Sequence, residues 1–364
     1  MNFWNKSFKA LLMSLLMLFG LILAACGDNT VTNTAVSTTI AATTTAPTTV
    51  AATTTVPTTA MVTTASATTT LATTVAVTPA VAPTVVPPAT KLKVVATTTQ
   101  IGDFVKNVGG NRIDLTTILK PNVDPHDYEP SADDSKALAA AQIVFSNGVG
   151  LDDWLDKLIK NSGTKAKLLV TSEGIKPRPG SGEEEKEGDP HIWFSIDNVK
   201  LMLDNIGKGL SDLDAPGTVT YRTNLTAYKE QLDKLDKDIK TQLATIPEAD
   251  RKLVTNHDAF GYYFDRYGIK FVGSVIPSFD STAEPSAKDL ADLVAKIKAE
   301  KVKAIFTESS LNPKLEKQIA DQAGVKIYSN LYGDTLGDAG SDGDTYLKMM
   351  QANTKNIVAG LSGK

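Results

Sequence analysis

Three histidines are the residues of this chain whose type and spacing suggest chemistry. They are the only histidines in 364 residues, and they lie far apart in the sequence, at His126, His191 and His257. Each is within two residues of an aspartate. Imidazole is the commonest metal ligand in proteins, and a bond to one ring nitrogen can fix the tautomer that leaves the other nitrogen free. The pattern therefore predicts metal binding.

The elements that would position these histidines alternate between short apolar strands and helices. From Lys91 the composition is globular, and strands are predicted at residues 92–96, 113–119, 143–146 and 167–170. The alternation returns with strands at residues 252–255, 270–275, 304–306 and 325–328. Such alternation is typical of α/β domains with a mainly parallel sheet. We therefore expect an α/β fold with two βα lobes, formed by residues 91–215 and 249–364.

The longest helical pattern lies between these lobes. Its apolar residues recur at steps of three and four: Leu225, Tyr228, Leu232, Leu235, Ile239 and Leu243. A helix over residues 219–245 would be about 40 Å long at 1.5 Å per residue. A coiled-coil dimer is the alternative, but the stripe has no sustained heptad. We interpret residues 216–248 as a rigid helix that links the two lobes.

The candidate site residues lie where strands end. His126, His257 and Asp334 each follow a predicted strand, and ligands of open α/β sheets bind outside the carboxyl ends of the strands. His191 lies on a loop before a helix of the first lobe. Two ligands from each lobe would form a four-coordinate site in the cleft, with three nitrogens and one oxygen, suited to Zn²⁺ or another borderline divalent metal. Glu308 also follows a strand and is a candidate to support a ligand from behind.

The first ninety residues are expected to stand outside the folded part. Residues 1–25 have two lysines before an apolar run, which is typical of a signal peptide. Residues 23–26, Leu-Ala-Ala-Cys, resemble the bacterial lipobox, in which the cysteine is lipidated; a secretory signal with an incidental cysteine is the alternative. Cys26 is the only cysteine, which excludes an intrachain disulfide and a thiolate zinc site. Residues 26–90 are predicted to be a disordered Thr/Ala/Pro-rich stalk, with or without glycans.

Taken together, the motifs resemble the zinc- and manganese-binding lipoproteins of bacterial ABC importers (ZnuA/TroA type). The similar segments are residues 125–131 (Pro-His-Asp-Tyr-Glu-Pro-Ser), 189–193 (Asp-Pro-His-Ile-Trp), 256–262 (Asn-His-Asp-Ala-Phe-Gly-Tyr), 283–286 and 305–308. The similarity covers residues 92–361. It implies two lobes with four-stranded sheets, one long rigid helix between them, and metal ligands at His126, His191, His257 and Asp334.

The resemblance also bears on the choice of metal. In that family the third ligand is typically histidine in zinc binders and glutamate in manganese binders, and here it is His257. Nitrogen donors favour zinc, whereas manganese prefers oxygen. The histidine-rich loop common in zinc-type relatives is replaced by residues 180–188, which are acidic and histidine-free. We interpret that loop as a solvated flap, with a weak cation-gathering element as the alternative. We expect Zn²⁺ as the metal, with Mn²⁺ as the alternative.

The predicted function is that of an extracytoplasmic receptor, held on the outer face of the bacterial membrane by its lipid, that passes Zn²⁺ to an ABC permease. A metallohydrolase would need an open metal position and a general base, and the chain has no H-E-x-x-H motif. A surface adhesin is permitted by the stalk, but no motif supports it. The net charge of −4 gives no reason to expect nucleic acid, and we expect a monomer.

Overall fold

The computed structural model describes residues 90–180 and 186–363. The predicted signal peptide, Cys26 and all but the last residue of the predicted stalk lie outside the described residues, as does most of the acidic loop. Among the described helices, none is both long enough and apolar enough to cross a membrane.

The first sheet has four parallel strands in the order β2-β1-β3-β4. Its strands are β1 (Leu92–Ala96), β2 (Ile113–Thr117), β3 (Ile143–Ser146) and β4 (Lys167–Val170). The helices of this lobe are α1 (Thr99–Gly109), α2 (Ala132–Ala140), α3 (Trp154–Ser162) and α4 (Ile196–Leu213). Parallel strands need crossover connections, and the helices between successive strands supply them.

The second sheet repeats this arrangement, again with four parallel strands, in the order β6-β5-β7-β8. Its strands are β5 (Lys252–His257), β6 (Lys270–Ile276), β7 (Ala304–Glu308) and β8 (Lys326–Leu331). Its helices are α6 (Gly261–Tyr267), α7 (Ala287–Glu300), α8 (Lys314–Ala323) and α9 (Tyr346–Ser362). The two sheets have equivalent strand orders, and each carries its carboxyl strand ends on one edge.

The long helix α5 (Thr218–Leu243) has 26 residues and runs between the two sheets in the sequence. It packs against α1 and α4 of the first lobe and against α9 at the end of the chain. Five of the six predicted stripe residues are buried: Tyr228, Leu232, Leu235, Ile239 and Leu243. The predicted α/β fold, with two parallel-sheet lobes and one long helix between them, is therefore confirmed.

One predicted boundary in the first lobe is wrong, since the strand expected at residues 113–119 ends at Thr117. The helix that follows β3 begins only at Trp154, after a left-handed turn. The three residues from Gly148 to Gly150 all have positive φ, at 81°, 56° and 76°, and such residues do not start a right-handed helix. This turn is stabilised by the buried Asp152 carboxylate, which accepts hydrogen bonds from two backbone N–H groups of residues 147 and 148.

Candidate metal centre

The structure brings the four predicted ligands together. His126, His191, His257 and Asp334 each offer one ligand atom, and these four atoms lie within 4.8 Å of one another. The Nε2 atoms of His191 and His257 are both 3.2 Å from the Asp334 carboxylate, on Oδ1 and Oδ2 respectively. Nε2 of His126 is 3.6 Å from Oδ2. Three imidazole nitrogens therefore face one carboxylate.

Strand pairing places His257 beside Glu308. These two residues end β5 and β7, which are neighbours in register at Thr255 and Phe306, two residues earlier on each strand. The Nδ1 atom of His257 lies 2.8 Å from Glu308 Oε1. A Cβ atom on Gly333 would overlap the Glu308 carboxylate, so the loop after β8 passes over that carboxylate only because residue 333 has no side chain.

His191 is fixed by the aspartate two residues before it. Asp189 Oδ1 accepts a hydrogen bond from the His191 backbone N–H at 3.0 Å and lies 2.8 Å from its ring Nδ1. The other Asp189 oxygen pairs with Arg178. Pro190, between Asp189 and His191, is held to the first sheet by Asn147, whose side-chain amide donates to the Pro190 carbonyl. A proton on Nδ1 in this contact leaves Nε2 as a free electron pair.

His126 lies on the loop after β2, which contacts the second lobe through Asn122 and Asp124. Its backbone N–H donates to Asp124 Oδ1 at 2.9 Å, which makes a tight turn. Asp124 Oδ2 accepts from the Ser281 hydroxyl, which follows β6. On the same loop, the backbone N–H of Asn122 donates to the hydroxyl of Thr335, next to Asp334. The position of His126 therefore depends on both lobes.

Asp334 follows β8 by three residues, on the loop that leads to α9. Although it comes from the second lobe, its neighbours contact α1 of the first. The Gln100 side-chain amide donates to the carbonyl of Gly333 at 3.3 Å, and the backbone N–H of Leu336 donates to the Thr99 hydroxyl at 2.9 Å. These bonds hold the carboxylate in the cleft.

The site is almost fully removed from solvent. The side chains of His191 and His257 are 0% exposed, that of Asp334 is 3% exposed and that of His126 is 10% exposed. Within the described part of the chain, the three Nε2 atoms and Asp334 Oδ1 have no hydrogen-bond partner of good geometry. Buried polar atoms are normally satisfied, so their convergence indicates a ligand that accepts electron pairs.

The pKa values of these groups reflect burial opposed by close charges. Burial lowers the pKa of His191, but the Asp334 charge and the Asp189 contact outweigh it and raise the pKa to about 9. Burial also lowers the pKa of His257, but the charges of Glu308 and Asp334 outweigh it and raise that pKa well above its usual value. At His126 burial dominates and lowers the pKa. Burial raises the pKa of Asp334, but the nearby His257 and His191 outweigh it, and the pKa falls well below its usual range.

Sequence reasoning identified all four converging residues and placed Glu308 near them, but it did not give a role to two neighbours. In the sequence, Asp189 stands out only as part of the Asp-Pro-His segment, although it contacts the ring of His191. The signal for Asp189 was its spacing of two residues from a histidine, whereas Arg178 carries none in the local sequence.

The arrangement can bind one divalent cation through three nitrogens and one carboxylate. Cations of borderline softness, such as Zn²⁺, suit this donor set. Three protein ligands plus water is the usual composition of a catalytic zinc site, whereas four protein ligands are typical of sites that hold the ion without activating water. The geometry therefore favours binding over catalysis.

Comparisons with known proteins point the same way. A family profile described as zinc-uptake complex component A, periplasmic (ZnuA) matches residues 94–360. The manganese ABC transporter substrate-binding lipoprotein PsaA of Streptococcus mitis is 35% identical over 279 residues, covering 75% of this chain and 90% of the relative. The iron ABC transporter substrate-binding lipoprotein MtsA of Streptococcus pyogenes serotype M1 is 35% identical over 280 residues, covering 75% and 89%. The solved structure of the periplasmic zinc-binding protein TroA of Treponema pallidum aligns with a TM-score of 0.70 at 33% identity, covering 74% of this chain and 99% of that structure.

Proposed function

Because the chain belongs to the ZnuA family of metal-binding proteins of ABC transporters, we propose that it captures one Zn²⁺ ion and delivers it to an import permease. The proposed ligands are His126, His191, His257 and Asp334. The observation that carries this proposal is the convergence of their four ligand atoms within 4.8 Å in a buried cleft.

Family membership confirms the predicted resemblance and the coarse function. The chain is a substrate-binding protein of a metal ABC transporter and not an enzyme. The metallohydrolase alternative is therefore excluded. The adhesin alternative stays a prediction.

The geometry supports zinc as the cargo. Zinc–nitrogen and zinc–oxygen bonds of about 2.1 Å in a tetrahedron place neighbouring ligand atoms about 3.4 Å apart. Asp334 Oδ2 lies 3.2 Å from Nε2 of His257 and 3.6 Å from Nε2 of His126, close to this value, whereas Nε2 of His191 is 3.2 Å from the other oxygen, Oδ1. Oε1 of the nearby Glu308 lies 2.8 Å from Nδ1 of His257, the ring nitrogen that does not face Asp334. The donor set is then N₃O, which favours Zn²⁺ over the harder Mn²⁺.

Manganese is the second candidate, for two reasons. PsaA, a similar relative, is named for manganese. In addition, Asp334 turns both oxygens toward imidazoles, Oδ1 to His191 and Oδ2 to His257. A carboxylate that binds through both oxygens raises the coordination number above four, which suits Mn²⁺ better than a tetrahedral site does.

The proposal includes a location and partners. Similar relatives are named lipoproteins of ABC transporters. We place this protein on the outer face of the cytoplasmic membrane, as a monomer anchored through lipidated Cys26, with the permease as its partner. In this proposal residues 26–90 connect the lipid anchor to the folded part.

The proposal is tested by the metal content of protein purified without added metal, together with competition titrations. We expect one zinc per chain and a tighter dissociation constant for Zn²⁺ than for Mn²⁺. Full-length protein and a variant lacking residues 1–89 should behave alike, since the proposed ligands all lie in the described part of the chain. A preference for Mn²⁺ would overturn the zinc assignment and keep the site. Binding of neither metal would overturn both.

Metal binding should also release protons in a pH range higher than that of ordinary histidine. In the metal-free protein the raised pKa of His191, about 9, and that of His257 keep both rings protonated at neutral pH. The metal needs their Nε2 electron pairs, so binding must displace these protons. Affinity should therefore rise with pH from about 6.5 to 9, with up to about two protons released per ion at pH 7.

Calorimetry in buffers of different ionisation enthalpy measures this release directly. If almost no protons are released at pH 7, and the metal affinity depends on pH only below about 6.5, then the two rings are already neutral before the metal binds.

A further inference from the structure

Arg178 lies behind the candidate metal centre and joins two carboxylates of different lobes. It follows β4 in the first lobe, and its Nη1 is 2.8 Å from Asp189 Oδ2. Its Nε is 2.7 Å from Asp265 Oδ2, on α6 of the second lobe. The Asp189 side chain is 0% exposed and that of Asp265 is 67% exposed. The inner ion pair is therefore shielded from solvent, whereas the outer pair is open to it.

The inner pair leads directly to a proposed ligand. Asp189 uses Oδ2 for Arg178 and Oδ1 for the backbone N–H and ring Nδ1 of His191. The carboxylate thus lies between the guanidinium and the imidazole. A change in the position of Arg178 would move Asp189, and with it the orientation of the ring whose Nε2 faces Asp334.

The second lobe forms the surface on which Arg178 rests. Tyr262 on α6 accepts a hydrogen bond from the Arg178 backbone N–H at 2.9 Å and donates one to the Asp189 carbonyl at 2.8 Å. The guanidinium carbon lies 5.6 Å from the centre of the Tyr262 ring. A Cβ atom on Gly261 would overlap the guanidinium, so the side chain lies directly against the backbone of α6. These contacts exist only while α6 lies against the first lobe.

We propose that Arg178 is a positioning residue that couples the packing of α6 against the first lobe to the orientation of the metal ligand His191. When α6 is in place, Arg178 holds Asp189 and the ring points at the ion. When α6 separates, Arg178 loses its support, and the ligand becomes free to turn. This inference rests on the proposed metal site and adds to it a path by which lobe separation would release the ion.

A second arginine, Arg266, lies on α6 itself and provides a matched control. Arg266 also joins the lobes, through Asp197 on α4 at 2.6 Å, and it pairs with Asp236 on α5 at 2.6 Å. It has two carboxylate partners, as Arg178 has, but neither of them contacts a proposed ligand. If the lobes only needed to adhere, losing either arginine would have similar consequences for the bound metal.

The experiment compares Arg178→Gln with Arg266→Gln in the metal-loaded protein. Dissociation of Zn²⁺ is followed by stopped flow against a chromophoric chelator, and the Co²⁺ form gives an absorption spectrum that reports ligand geometry. We expect Arg178→Gln to speed dissociation about 10- to 100-fold and to change the Co²⁺ spectrum, the usual range for the loss of a group that orients a metal ligand. Arg266→Gln should stay within about threefold of the parent, with an unchanged spectrum.

Two further variants test the path itself. Arg178→Lys keeps the charge but lacks the planar fork that reaches both carboxylates, so we expect partial rescue. Asp265→Asn removes only the solvent-exposed pair, so a small effect is expected. Because Asp265→Asn leaves Asp189 and Arg178 intact, it also serves as the readout if Arg178→Gln fails to fold. A dissociation rate raised by as much as 10-fold would then contradict the claim that the pair of Arg178 with Asp189, and not the exposed pair with Asp265, positions His191.

The outcomes separate this inference from the proposed function. If Arg178→Gln and Arg266→Gln have the same dissociation rate and the same Co²⁺ spectrum, the positioning role is wrong. If His191→Ala binds Zn²⁺ as tightly as the parent, the metal site itself is wrong, whatever the arginine variants show.

Discussion

Zn²⁺ at a thousandfold excess over its dissociation constant is expected to stabilise the folded protein by about 4 kcal/mol, and His126→Ala is expected to remove most of this gain. Among the proposed ligands, His126 is the one whose replacement disturbs the fewest other contacts. The rings of His191 and His257 contact the buried carboxylates of Asp189 and Glu308, so replacing either ring would also leave a carboxylate without its partner. Nε2 of His126 faces the proposed ion position, and its side chain is 10% exposed. The effect of His126→Ala on stability therefore reflects mainly the loss of metal binding.

Thermal unfolding with Zn²⁺ and with chelator measures this effect. For a folded part of this size, 4 kcal/mol corresponds to a rise in melting temperature of roughly 10 °C. The metal-free melting temperature of His126→Ala should stay near that of the metal-free parent. Lys317→Ala, which changes an exposed ion pair on α8, should keep the full zinc response. A parent protein whose melting temperature is the same with Zn²⁺ and with chelator would contradict a site built from both lobes.

The sequence predicted the features that follow from local periodicity. The stripe along α5 repeats at helical spacing, and the strands are short apolar runs between turn residues, so both can be recognised within a window of several residues. The relation between His257 and Glu308 could also be anticipated, because both follow strand ends and neighbouring parallel strands present their carboxyl ends at the same edge. The structure adds the register that makes them direct neighbours.

Other features depend on contacts between residues that are distant in the sequence. Asp124 meets Ser281 across 157 residues, and Arg178 meets Asp265 across 87. No periodicity encodes such pairs, since they exist only after the two lobes have packed. The left-handed turn before α3 is hard to predict for a different reason: it includes Val149, a β-branched residue that rarely adopts positive φ.

As a proposed metal ligand, His257 is also expected to influence the choice of metal. A glutamate at this position would supply a hard oxygen donor in place of nitrogen, which favours Mn²⁺ relative to Zn²⁺. It would also face Glu308, which now lies 2.8 Å from the ring nitrogen. Burial already raises the pKa of Glu308. A second carboxylate beside it would raise that pKa further, because two like charges in one buried site oppose each other's ionisation.

His257→Glu alone is therefore expected to weaken the binding of both metals and to reduce the preference for Zn²⁺ over Mn²⁺ by about tenfold. His257→Glu combined with Glu308→Gln is expected to recover Mn²⁺ binding more than Zn²⁺ binding. The glutamine removes the opposing charge and can donate a hydrogen bond to the new carboxylate. Competition titrations of the two metals against one indicator give the ratio for the parent, both single variants and the double variant. Glu308→Gln alone is the control, since it changes the support of His257 while keeping three imidazoles. If the double variant keeps the parent's ratio of zinc to manganese affinity, then residue 257 does not set the metal preference and its assignment as a ligand fails.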